Sequence, residues 1–369
     1  MIDPSRGEHF HDVAAPGKRG DRETAARLIA SEVGITDVSS LGKIEVHGSD
    51  AAVFLDFVYA NRMSTLAMGR CRYGVMLRED GIVLDDGTVA RLGKDHFLIS
   101  TTTVNAATVL EHLEFHRQTV HPQRDITLTD VGDHWAQFAL AGPLARAVLS
   151  EVVEGVDVGA ESFAFMAVAG ARIAGVPGRL FRISFSGELA YELAVPARYA
   201  TEVWTRILEL GAPLGLKPYG LDALNTLRIE KGHVTGAELN GQTSAQDLGF
   251  GRLCRASDDY IGATLARRAA LLDGNRLQLV GVRPLDAEQR LRNGVHLVDP
   301  HQPDESLGYI TSSTPATEQV GWLGLALLRG GHQRHGTRLL ARAPMFDEVY
   351  DVEIVSPHHL DPENVRVRA

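Results

Sequence analysis

From Cys71 to Arg91 apolar and polar residues alternate around an Asp80-Gly81 dipeptide, CRYGVMLREDGIVLDDGTVAR, a pattern that predicts a β-hairpin. A two-residue loop sets Glu79 opposite Ile82, Leu77 opposite Leu84, Val75 opposite Asp86 and Tyr73 opposite Thr88. Side chains alternate across a strand, so Tyr73, Val75, Leu77, Leu84 and Asp86 share the apolar face, while Asp85 points the other way, toward Arg78 and solvent. The alternative is a strand that ends at Asp86 and turns through Gly87 on the surface; a one-residue slip exchanges the two aspartates.

Around the hairpin the pattern predicts a helix capped by Asp21 and running to about Val33, a strand from Leu41 to His47, and a helix capped by Ser49 that ends at Asn61. A strand Phe97–Thr102, a helix from about Asn105 to His116 and a strand Trp135–Leu140 follow, the last turning through Ala141-Gly142-Pro143 into PLARAVLSEVV. Strands return in RIAGVPGRLFRISF and LAYELAVP, and then Arg198 to Leu210 forms an amphipathic helix. Gly220 and Gly232 bracket one short helix, on which Arg228 falls between Leu221 and Leu224 on the apolar stripe. After about residue 275 short alternating runs between Gly, Pro and Asp predict six strands, which suits a β-barrel or sandwich. Residues 1–20 carry Pro4, Pro16 and several charges, and are expected to lie on the surface.

The 369 residues suffice for two or three structural units, and 44% apolar with 23% charged residues is the composition of a soluble globular protein. A formal charge of −10 argues against a nucleic-acid binder. No apolar run is long enough to span a membrane, and the N-terminus lacks a signal peptide's basic and apolar regions. The two cysteines, Cys71 and Cys254, have no metal-type spacing, so a reduced, cytoplasmic protein is expected.

Two charged residues stand where charge is costly. Asp86 on an apolar face requires a ligand, cation or donor. Arg228 requires an anion, either a bound carboxylate or an internal acidic partner. Ser186 in SFSGE is a turn serine, not a nucleophile elbow. His112 and His116, one helical turn apart, have no evident third ligand and read as a solvated helix face, as do the pairs His9/His11, His332/His335 and His358/His359; no metal is expected.

Six segments in order carry a resemblance: VGITDVSSLGKIEVHGSDA (33–51), NRMSTLAMGRCRYGVMLREDGIVLDD (61–86), WAQFALAGPLA (135–145), RISFSGELAYEL (182–193), PYGLDALNTLRIEKG (218–232) and GYITSS (308–313). Together they resemble the folate-dependent aminomethyltransferase family, typified by the glycine-cleavage T-protein. The chain is most similar to the folate-binding C-terminal half of heterotetrameric sarcosine oxidase α subunits. The resemblance implies an α+β fold of units around a central hole. Residues 1–275 would form the folate-binding core, roughly 1–50 with 135–215 and 51–134 with 216–275, and residues 276–369 a C-terminal β-barrel.

It also implies tetrahydrofolate as cofactor, with Asp86 catalytic beside the N5 and N10 region and Glu192 on the pterin edge. Tyr73 would line the pocket wall, Thr102 would stand where the family has a folate-bonding asparagine, and Arg228 would order the site or meet a folate carboxylate. The implied reaction captures a carbon unit from a glycine- or sarcosine-type amine as 5,10-methylenetetrahydrofolate. The donor would come from an oxidase or dehydrogenase subunit. The α subunits carry a dinucleotide-binding half upstream, absent here, so the chain is either a piece of one or a free-standing relative. Alternatives are a folate-dependent demethylase, an assembly factor or an inert scaffold. In the assembly factors a cysteine signature occupies the run Lys231 to Glu238, where this chain has His233.

Overall fold

Alternation at period two, broken by amphipathic runs of period 3.6, builds two sheets and their helices before residue 275 and a barrel after it. The computed structural model describes residues 19–369, with side chains from Thr24 onward. The expected N-terminal surface segment and the His9/His11 pair fall outside the described residues.

The chain begins α1 (Arg19–Ser31), β1 (Gly34–Asp37), β2 (Gly42–His47), α2 (Ala51–Val58), β3 (Arg70–Leu77), β4 (Val83–Gly93) and β5 (His96–Thr101). It continues α3 (Ala106–Thr119), β6 (Thr127–Asp130), β7 (Trp135–Ala141), α4 (Ala145–Val152), β8 (Val153–Glu154), β9 (Val168–Ile173), β10 (Val176–Phe181) and β11 (Ala190–Pro196). Then come α5 (Ala200–Gly211), β12 (Lys217–Pro218) and α6 (Leu221–Lys231). Six strands follow: β13 (Leu277–Pro284), β14 (His296–Asp299), β15 (Gln302–Pro315), β16 (Trp322–Arg329), β17 (Arg338–Ala343) and β18 (Glu348–Val355). Among the described residues no helix is long and apolar enough to cross a membrane.

The first sheet has the order β12-β1-β7-β11-β10-β9-β8 and the second β3-β4-β5-β2-β6, while β13-β16-β15-β14-β17-β18 close into a barrel. The six strands expected after residue 275 are all present. The boundary at residue 50 is not where the sheets divide: β2 pairs with β5 and β6 in the second sheet, and the short β12 pairs with β1 in the first. α1 starts at Arg19, so Asp21 lies inside it, and the cap of α2 is Asp50, one residue after Ser49.

Helices α4 and α5 cover the first sheet, with Val148, Leu149, Trp204 and Ile207 against Phe138 and Leu193. α2 and α3 cover the second, with Phe54, Leu55 and Leu113 against Ile44, Val89 and Phe97. A third apolar cluster joins Val75, Leu77 and Val83 of the hairpin to Ile229 of α6 and to Leu279, Leu325 and Leu327 of the barrel. Higher on the same strand Cys71 packs with Val168, Phe181 and Ile183 beside the first sheet. One face of β3 thus touches the first sheet at one end and the barrel at the other.

The hairpin departs from its expected register near the turn. Val75 pairs with Asp86 and Tyr73 with Thr88 as expected, but Leu77 pairs with Val83. The loop holds three residues, because the Arg78 N–H bonds to the Ile82 carbonyl, and Gly81 adopts φ 84°. A bulge at Leu84 absorbs the extra residue and restores the register by Asp85. Leu84 accordingly packs with Met76 in the second sheet's core, not beside Asp86.

β4 continues through Gly87 to Gly93, so Asp86 does not end the strand. Gly87 is required there because a Cβ would run into the Ser100 carbonyl oxygen of β5. Gly87→Ala is expected to destabilise by about 1–3 kcal/mol. The measurement is a lower urea midpoint at unchanged slope; an unchanged midpoint would contradict the close approach.

Candidate active site

Asp86 lies opposite Val75 in the ladder and therefore on the face that carries Cys71, Tyr73 and Val75. The Tyr73 hydroxyl donates to Asp86 Oδ2 at 2.6 Å, and Phe250 meets the Tyr73 ring edge-on, with centroids 5.7 Å apart. Burial pushes the Asp86 carboxyl up to about 6, against the lowering effect of the tyrosine, and the neighbouring Asp85 charge adds to the rise. Burial and the Asp86 carboxylate together hold the Tyr73 phenol well above its usual range, so it remains a donor. No side chain among the described residues donates to Asp86 Oδ1.

Asp85 corrects an expectation. It is 1% exposed, not solvated beside Arg78, whose guanidinium is paired with Asp80. The Thr102 N–H and hydroxyl donate to it at 3.1 and 2.7 Å, and Asn105 Nδ2 donates at 2.9 Å. Both Thr102 donors are therefore engaged by Asp85, and Thr102 acts as a support for the aspartate pair. Asn105, just before α3, shares that task. Alternation alone hides this, since a strand with both faces covered has no solvated side.

Glu192, on β11, is buried, and Gln137 Nε2 from the adjacent β7 donates to its Oε2. Among the described residues no other donor reaches its carboxylate. Burial pushes it up to about 7, against the lowering influence of Gln137 and of the Lys43 charge. Lys43, 1% exposed on β2, is held by the Ser39 and Leu41 carbonyls at 2.9 Å each. Among the described residues the buried Tyr219 hydroxyl has no hydrogen-bond partner, and burial first and the Glu192 charge second raise its pKa. Gln137, Lys43 and Tyr219 were not singled out in the sequence; the one available signal was a lysine inside the strand run LGKIEV.

The two carboxylates are linked through β3. Burial first and Glu192 second push the Cys71 thiol up to about 12, whereas Tyr73, two residues on and on the same face, binds Asp86. Neighbours i and i+2 on a strand are about 7 Å apart. Phe181, the ladder partner of Glu192, packs with Cys71, so β11 and β10 bring Glu192 near the strand whose Tyr73 holds Asp86.

Arg228 resolves to the internal pairing. It is 3% exposed, and its guanidinium donates to Glu238 at 3.1 Å, Ser312 Oγ at 2.8 Å, Asn225 Oδ1 at 2.8 Å and the His233 carbonyl at 3.1 Å. It joins α6 to barrel strand β15, with its charge matched by Glu238. The C-terminal tail returns to the same region, where Arg366 pairs with Glu188 and Glu318, and Lys231 with Asp361.

The model of the GCVT N-terminal domain matches residues 19–258. The chain is 44% identical over 360 residues to the sarcosine oxidase subunit alpha of Rhizobium meliloti, a match covering 95% of this chain and 36% of that protein. It is 30% identical over 326 residues to the aminomethyltransferase of Streptomyces avermitilis, covering 87% of this chain and 85% of that protein. Its fold matches the glycine cleavage system aminomethyltransferase T of Bartonella henselae with a TM-score of 0.80 at 21% identity, over 92% of this chain and 90% of the other. The chain spans about a third of the length of the sarcosine oxidase subunits it matches.

Proposed function

The chain belongs to the aminomethyltransferase family of folate-dependent transferases, and from that premise we propose that it transfers a one-carbon unit from a glycine- or sarcosine-type amine to tetrahydrofolate, giving 5,10-methylenetetrahydrofolate. The observation that carries this reading is the presence of two buried carboxylates of raised pKa: Asp86 on the hairpin, and Glu192 on β11 beside Phe181, which packs on Cys71 of β3.

The donor set fits the cofactor. Glu192 has an oxygen with no protein donor among the described residues, beside an unpartnered Tyr219 hydroxyl, and a carboxylate suits the adjacent N–H groups of a pterin edge. Asp86 would then stand at the ligand's reactive end. When bound, tetrahydrofolate supplies the amine that receives the carbon.

Tyr73 holds Asp86 Oδ2 and so fixes the direction of Oδ1. With a pKa of about 6, Asp86 is ionised at neutral pH yet basic enough to accept a proton from an amine. Its charge, in surroundings short of water, also stabilises a positive charge arriving on carbon. Tyr73 and Phe250 supply the wall. The amine donor is proposed to come from an oxidase or dehydrogenase subunit, as the name of the Rhizobium relative suggests.

Titration with tetrahydrofolate tests the reading. Saturable binding is expected, weakened about ten- to a hundredfold by Glu192→Gln, the loss of one charge-assisted hydrogen bond. N–H donors need the ionised carboxylate, so affinity should rise with pH through about 7 in the wild type and lose that dependence in Glu192→Gln. Absence of saturation, or indifference to Asp86→Ala and Glu192→Ala together, would overturn it.

A further inference from the structure

The histidine pair read from sequence as a solvated face is not one. His116 on α3 is 6% exposed, and neither ring nitrogen has a hydrogen-bond partner among the described residues; Nε2 of His112, one turn earlier, also has none. The two rings meet edge-on with centroids 4.6 Å apart, and Phe57 of α2 holds His116 from the side at 5.6 Å. A third group arrives from a distant part of the chain. The hairpin loop of β3 and β4 carries Glu79 over α3, with Oε1 3.3 Å from His116 Nε2 but without the alignment of a hydrogen bond. One ligand atom from each of Glu79, His112 and His116 lies within 4.8 Å of the others.

We propose that Glu79, His112 and His116 form a binding site for a zinc-like divalent cation. Two imidazoles at i and i+4 with a carboxylate are a common three-protein-ligand set for such an ion, leaving a fourth position open. Here Glu79 and His116 line a cleft of about 280 Å³ together with Phe57, Val120, Tyr260, Ile261 and Leu265. Tetrahedral coordination with bonds of about 2.0–2.1 Å requires ligand atoms about 3.4 Å apart. Glu79 Oε1 already stands 3.3 Å from His116 Nε2, and the three ligand atoms together lie within 4.8 Å of one another. The buried His116 ring, with both nitrogens unpartnered among the described residues, gains a partner when it binds a cation.

The second cluster, Glu45, His47 and His96, is the contrasting case. There Arg179 donates to the Glu45 carboxylate at 2.7 Å, and a guanidinium already occupies the place of a cation. The proposed site is independent of the folate reading and is tested without folate.

The untagged chain, freed of metal by a chelator, is titrated with Zn²⁺ in competition with a chromophoric chelator, and with Co²⁺ read by visible absorption. One equivalent per chain is expected, with the intense d–d bands of a four-coordinate site. His116→Ala should weaken affinity by more than about 100-fold, beyond the effect of outer-shell groups, and Glu79→Gln by at least about tenfold. His47→Ala should leave it unchanged. Glu79 is exposed, so its variant reports on binding even if His116→Ala perturbs folding, which circular dichroism checks. Failure to saturate near one equivalent, affinity indifferent to Glu79→Gln, or loss on His47→Ala instead would each overturn the proposal.

Discussion

Asp86→Asn is expected to slow one-carbon transfer by about 10²–10⁴-fold while making the protein more stable above pH 6. The amide retains the shape and can still accept the Tyr73 hydrogen bond, but it takes no proton and carries no charge. The stability sign follows from the raised carboxyl. Its pKa is about 6 in the folded chain against 3.8 when free, so between those values the folded state binds more protons than the unfolded one. Stability therefore falls as pH rises through that window, and the full penalty, at most about 3 kcal/mol, is present above pH 6. The asparagine variant escapes it. Thermal unfolding at pH 8 should show a higher Tm for the variant, with the difference vanishing near pH 4. A variant that transfers carbon normally, or that is less stable than wild type at pH 8, would remove Asp86 from the role assigned to it. A group that weakens the fold while serving chemistry is a common mark of an active site.

Arg228→Met is expected to destabilise by about 3–5 kcal/mol, because it leaves Glu238, 0% exposed, charged and without its cation. Thr235 and Ser312 still donate to that carboxylate but cannot neutralise it. Glu238→Leu combined with Arg228→Met removes both charges, and the double variant should recover most of the loss. Denaturant midpoints of the three variants form the cycle. A single Arg228→Met variant within about 1 kcal/mol of wild type would show that the pair does not join α6 to the barrel as the distances indicate.

How far the sequence carried can be judged residue by residue. The pairing of Val75 with Asp86 was legible, since the Asp-Gly turn and the alternation around it are local, and the three-residue loop did not upset the pairing because the bulge at Leu84 compensated. The helix bracketed by Gly220 and Gly232 was legible for the same reason: a left-handed residue at its end, φ 82° at Gly232, is a property of glycine itself. The resemblance gives Thr102 the place of a folate-bonding asparagine and Arg228 either the ordering of the site or a folate carboxylate. What the sequence did not show is that the Thr102 donors bond to Asp85 and that the Arg228 charge pairs with Glu238. Position in a motif says where a side chain starts, not which neighbour reaches it first.

The chain's own order of residues determined the six barrel strands, the hairpin, the family and the face on which Asp86 stands, because turn chemistry and periods of 2.0 and 3.6 act over a few neighbours at a time. Only the folded chain decided that Asp85 is dry, that Phe181 beside Glu192 packs on Cys71 of the hairpin, and that Glu79 arrives beside His116. Each of those depends on groups tens or hundreds of residues apart, and it is the packing of one element on another that sets which charge is desolvated and what stands opposite it.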